Sequence, residues 1–236
     1  MPNAASASRR PSRILSSSSG DNNSWEIQTS NTTSDLYDVN SDNTTFVAVG
    51  YRGILVKSSD NGNTWSTPDT WGKSADGTNI TLYGIAGQID NESGNNNFIT
   101  ITNTSTGKIG KSSDNGTTWD IGNQFAAIDI IYADDDFVGD DWFVTVGSDG
   151  AINKTKDYGS EWTLNSPLTN DLYSITFGSG SYKTGSNTIK WGIFAAVGES
   201  GKVIISKDNL SSWVAPFDTK TTTNLDSIAY GNGRFI

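Results

Sequence analysis

Four aspartates carry most of the chemistry this chain could do. Asp60, Asp114, Asp157 and Asp208 each follow a hydroxyl residue by two positions (Ser58, Ser112, Thr155, Ser206) and precede a tryptophan by five (Trp65, Trp119, Trp162, Trp213). Gly62, Gly116 and Gly159 stand two residues after the first three aspartates; Leu210 takes that place in the fourth. A carboxylate in a fixed frame can serve as a general acid or as a ligand for a hard cation. It can also clamp a turn by accepting backbone N–H groups two residues on. The setting favours the clamp. Each copy follows a short apolar run, Ile54-Leu55-Val56, Ile109, Ala151-Ile152 or Val203-Ile204-Ile205. A strand running into Asp-x-Gly is a hairpin signal, and Gly supplies the positive φ such a turn needs. The leucine in the fourth copy predicts a different turn there.

Other reactive groups are scarce. The chain has no His and no Cys, which removes most zinc, haem and thiol chemistry. Asp134, Asp136 and Asp140 form an acidic cluster that suits a Ca2+ ion in type, but their spacing is not that of an EF-hand loop, so they are a weak candidate and a solvated acidic hairpin accounts for them better. No cofactor is expected.

The elements that must position these groups repeat. The motif returns at intervals of roughly 40–50 residues, the length of a four-stranded propeller blade. Within each interval an alternating strand comes first: Leu36-Tyr37-Asp38-Val39, Leu82-Tyr83-Gly84-Ile85, Ala127-Ile128-Asp129-Ile130, Leu172-Tyr173-Ser174-Ile175. A second strand follows from Phe46, Phe98, Phe143 and Phe194, then a third, the Asp turn, and a fourth after the tryptophan. Helical periodicity is absent, and Asn, Ser, Thr, Asp and Gly are abundant. The expected fold is an all-β propeller over residues 25–236, preceded by a flexible arm, 1–24.

The motif resembles the Asp box of bacterial-neuraminidase-repeat proteins. The longer unit, Phe46 through Gly50, Gly53-Ile54 and Ser58 through Trp65, is similar to the blades of photosystem II stability/assembly-factor-like propellers and of related phage virion proteins. The resemblance implies the fold; the box sits on proteins of many functions. A sialidase would need three arginines around a carboxylate. Beyond the arm this chain has Arg52 and Arg234 alone, and Tyr51-Arg52-Gly53-Ile54 is not that family's arginine motif. Lysine does not replace the bidentate fork.

A net charge of −10 disfavours nucleic acid and anionic membranes as partners. No apolar run approaches the ~20 residues that span a bilayer. Three of the five arginines, Arg9, Arg10 and Arg13, lie in the arm, with no apolar core to make it a signal peptide. Trp25-Glu26-Ile27 reads as a last strand that could close with residues 224–236 into a fifth blade; alternatively the chain is the front of a six- or seven-bladed propeller. Together these features predict a non-catalytic structural or binding protein. The expected setting is a phage virion (tail fibre, appendage or capsid-attached protein). There the arm docks to other virion proteins and the propeller meets host glycan or protein, in an oligomeric assembly. The alternatives are a photosystem II assembly-factor-like chaperone and a sialidase-like hydrolase fragment, and an extracellular or cytoplasmic location.

Overall fold

The computed structural model of the chain describes residues 13–17, 25–42, 45–67, 80–88, 96–102, 107–123, 125, 127–134, 141–215 and 219–236. It opens with an antiparallel hairpin of β1 (Arg13–Ser17) and β2 (Trp25–Thr29). The first blade is β3 (Leu36–Asp42), β4 (Thr45–Gly50) and β5 (Leu55–Ser58), with a single bridge from Lys57 to Ser66 in the fourth-strand place. The second is β6 (Leu82–Gln88), β7 (Asn97–Thr102), β8 (Lys108–Ser112) and β9 (Asp120–Asn123). The third is β10 (Asp129–Ala133), β11 (Trp142–Val146), β12 (Ile152–Thr155) and β13 (Thr163–Asn165). The fourth is β14 (Leu172–Thr184), β15 (Asn187–Gly198) and β16 (Val203–Ser206), closed by an Ile205–Val214 bridge. A further hairpin, β17 (Tyr230–Gly231) and β18 (Arg234–Phe235), begins the next sheet.

Each blade is an antiparallel meander in sequence order. The first strands β3, β6, β10 and β14 neighbour one another in turn, which makes them the inner strands of a β-propeller. The core lies between blades. Val47, Val49 and Leu55 of the first blade cluster with Leu82, Ile85 and Phe98 of the second. Ile99, Ile101 and Ile109 continue the pattern with Ile130 and Phe143 of the third. Val144, Val146 and Ile152 do so with Leu172, Ile175 and Phe194 of the fourth. One sheet alone leaves an apolar face uncovered, so each blade is stable only against its neighbour.

Two expectations need correction. Arg13 does not belong to a flexible arm: it opens β1 and pairs with Thr29. The Trp25 strand pairs with β1, with Ser17 opposite Trp25, and not with β17 or β18. A partner a few residues away costs far less loop entropy than one at the other end of the chain. Beyond the blade, β14 and β15 continue through Gly178 to Lys190 as a two-stranded ribbon tipped by Thr184 and Asn187. Arg9, Arg10, Asp136 and Asp140 lie outside the described residues.

Candidate functional site

The four Asp turns share one construction. In the first, the Ser58 hydroxyl donates to Asp60 Oδ1 (2.8 Å) and accepts from Gly62 N (2.9 Å). Thr64 donates its backbone N–H to Oδ1 (2.8 Å) and its hydroxyl to Oδ2 (2.6 Å). Asn61 and Gly62 both have positive φ, 58° and 82°, and Asn63 N donates to Asp60 O, the pattern of a type I′ hairpin turn. Asp114 receives the same bonds from Ser112, Thr117 and Thr118. Asp208 receives them from Ser206 and Ser212, while Asp157 accepts the Thr155 hydroxyl at Oδ1 and the Glu161 N–H at both oxygens. The carboxylate therefore reaches residues four positions on, while the hydroxyl closes the near side.

These bonds set the electrostatics. The Thr64 hydroxyl, then its N–H and the Ser58 hydroxyl, hold Asp60 at about 2. Ser212 does the same for Asp208, also to about 2. Asp157 is lowered, chiefly by the Glu161 N–H. Burial raises Asp114, but bonds from Thr118 and Ser112 outweigh it and the net shift is downward. A general acid needs a raised pKa, so all four carboxylates are tuned the wrong way for that task. Replacing Asp114 by alanine removes its acceptor from Ser112, Thr117 and Thr118. Water replaces part of what is lost, so a stability loss of about 1–2 kcal/mol is expected in urea unfolding.

The fourth turn corrects the expectation drawn from Leu210. Its backbone is the same, with φ of 55° at Asn209 and 63° at Leu210, and Leu210 N donates to the Ser206 hydroxyl as Gly62 N does to Ser58. Leu210 is 2% exposed, in the cluster of Trp142 and Val144. Burial of the side chain offsets the cost of the left-handed conformation.

Three of the four tryptophans join the turns to the core between blades. Trp119 packs on the first–second seam, Trp162 on the second–third and Trp213 on the third–fourth. Trp65 is buried with Phe46, Ala48 and Val56 of its own blade. Trp65 and Trp119 donate Nε1–H to the carbonyls of Gly62 and Gly116. A lysine from the preceding blade also reaches each later turn. Lys57 Nζ donates to Thr117 Oγ1 (2.8 Å), Lys111 to Gly159 O (3.5 Å) and Lys154 to Leu210 O (3.2 Å). A cavity of about 290 Å3 opens along the second–third seam, lined by Lys111, Asp120, Asp157 and Tyr158 among others.

A second set of fasteners lies on the inner strands, and sequence reading missed it. Asp38 Oδ2 accepts Ile85 N of the next blade (2.8 Å). Asp129 Oδ2 accepts Ile175 N (2.9 Å) and the Ser174 hydroxyl (3.0 Å), and Ser174 Oγ accepts Ile228 N (3.4 Å). The second blade has Gly84 here, where a Cβ would press on Ile101 and Ile130. Burial raises Asp38 to about 6 and raises Asp129 as well. Because the folded value exceeds the unfolded one, Asp38 favours the folded state most below pH ~4, and that contribution fades as pH rises through ~6. Asp38→Asn is expected to flatten the denaturant midpoint between about pH 4 and 6, with a change of about 2 kcal/mol in the pH-dependent part. Unfolding series across that range check it.

Three tyrosines stand at the start of inner strands, Tyr37 in β3, Tyr83 in β6 and Tyr173 in β14. The inner strands start at the same end as the turns between second and third strands, since Tyr51 N donates to Asp35 O and Glu199 N to Asp171 O. Tyr37 and Tyr83 are exposed there, their rings stacked 5.5 Å apart. Tyr173 stands near Asp171, Glu199 and Asp226. Among the described residues no three His, Cys, Asp or Glu side chains converge as a metal site. Asp134, from the weak Ca2+ candidate, is exposed.

No protein-family profile matches the chain, and no curated protein does. Solved structures do match its fold. YCF48 bound to D1 peptide superposes with a TM-score of 0.59 at 17% identity, over 87% of this chain and 60% of that one. YCF48 from Cyanidioschyzon merolae gives 0.55 at 14%, over 84% and 60%. The GH74 enzyme of Niastella koreensis gives 0.53 at 17%, over 84% of this chain and 27% of the enzyme. The chain thus spans about three fifths of the YCF48 structures it matches. Fold and comparison define one class, the β-propeller. No helix among the described residues is long and apolar enough to cross a membrane.

Proposed function

We propose that the chain is a non-catalytic, protein-binding β-propeller that holds a peptide segment of a partner, in the manner of an assembly factor. One observation carries the non-catalytic part. Each recurring carboxylate is engaged inside its own turn and held below the ordinary carboxylate range. Support for a protein partner comes from the fold neighbour YCF48, which is bound to D1 peptide. Fold likeness favours the assembly-factor side of the sequence expectation over the virion side. The virion reading rests on the resemblance and on an arm whose Arg9 and Arg10 are not among the described residues.

The test uses the full chain as bait for a randomised peptide display library, alongside a panel of chromogenic glycosides that includes sialosides. Enriched peptides with a shared motif, and no turnover above blank, are expected. Glycoside turnover that disappears on substitution of one carboxylate would overturn the proposal, as would failure of any peptide to enrich.

A further inference from the structure

The geometry points to the axis end where the inner strands begin as a docking surface for an extended protein segment bearing arginine or lysine; this rests on the protein-binding reading above. The first observation is a register. In β3 the pairing with β4 jumps from Leu36–Gly50 to Asp38–Val49, so Tyr37 has no partner of its own. In β6 the jump passes over Tyr83, and in β14 over Tyr173. Three blades thus place a tyrosine on a β-bulge at the same point of the inner strand. A bulge gives up ladder pairing and re-aims one side chain. The bulge itself does not demand tyrosine: in the third blade Ile128 stands there, donating its N–H to Val146 O while Asp129 pairs with the same Val146.

The second observation is exposure. Tyr37 is 46% exposed and Tyr83 43%, a stacked pair presenting ring surface to solvent with an interplanar angle of 24°. The third is charge. Asp35 lies close enough to Tyr37 to raise its phenol, an effect in which burial is the larger cause, and Asp171, Glu199 and Asp226 act likewise on Tyr173. Aromatic faces rimmed by carboxylates attract a guanidinium or ammonium twice over, through the ring quadrupole and through the negative field. The same end already holds one such contact within the chain, Arg52 over the Tyr51 ring at 5.2 Å. Anionic partners are repelled by these carboxylates and by the net charge of −10.

The probe is a fluorescent peptide of alternating glycine and arginine, measured by anisotropy against the full chain. Its counterpart with glutamate for arginine is the charge control. The arginine peptide is expected to bind and the glutamate peptide not to. The double variant Tyr37→Ser/Tyr83→Ser should weaken binding about tenfold or more with an unchanged thermal midpoint. Tyr37→Phe/Tyr83→Phe should retain it, and Tyr182→Ser on the distant ribbon should bind as the parent does. Equal binding by the serine double variant, equal binding of the glutamate peptide, or displacement by a neutral oligosaccharide would each overturn the proposal. If library peptides bind regardless of these tyrosines, the protein-binding reading stands and this site falls. If no library peptide binds, the reading itself falls.

Discussion

Gly198→Ala is expected to cost about 4 kcal/mol or more, a large share of the roughly 5–15 kcal/mol that holds a domain folded. Its φ of −176° is extended backbone open to any residue, so the penalty is wholly steric. A Cβ there would lie 2.0 Å from the Asp171 carbonyl oxygen and 2.8 Å from Leu172 Cα. Neither atom can withdraw. Asp171 O accepts Glu199 N at 2.9 Å, and Gly198 itself donates to Lys202 O and accepts Leu225 N from the next blade. Gly50 meets Asp35 in the same way in the first blade. The second blade shows what relief requires: Leu82 pairs there with Thr102, whose hydroxyl bonds to both backbone groups of Lys108. Gly231→Ala, with open space around the added carbon, is the matched control and should change little. Urea unfolding followed by tryptophan fluorescence reads both.

Leu210→Gly is the second large effect, and its sign is the informative part. Glycine at φ 63° would relieve about 1–2 kcal/mol of left-handed strain. It would also empty a buried site against Trp142 and Val144, where losing a leucine costs roughly 3–5 kcal/mol. The net expectation is a loss of about 2–3 kcal/mol. The residue that departs from the motif is therefore the better choice where it stands. Restoring the motif should weaken the fourth blade, and an increase in stability would show that the seam there is not well filled.

What could be read in the sequence was local. Ser58, Asp60, Gly62 and Trp65 fall within one turn, so their hydrogen bonds follow from spacing and turn chemistry alone. The bonds that join blades do not. Asp38 reaches Ile85 and Lys111 reaches Gly159 across dozens of residues, through seams that appear only once the sheets are set side by side. A lysine directly before the hydroxyl in the first three copies, Lys57, Lys111 and Lys154, was a usable signal for the second of these. Tyr37, Tyr83 and Tyr173 look like ordinary strand residues in sequence. Their special position is a register shift, which exists only relative to the paired strand. Leu210 misled because strain argues for glycine at that φ, while the burial that outweighs it lies in another blade.

Carboxyl 13C titration of Asp60 and Asp208 bears most directly on the role of the recurring aspartates. If they fasten turns, both should still be ionised at about pH 3, with midpoints near 2, and should lose that shift together with the fold. A midpoint above the ordinary 3.8 for either one would mark a carboxyl kept protonated for chemistry, and would contradict the account.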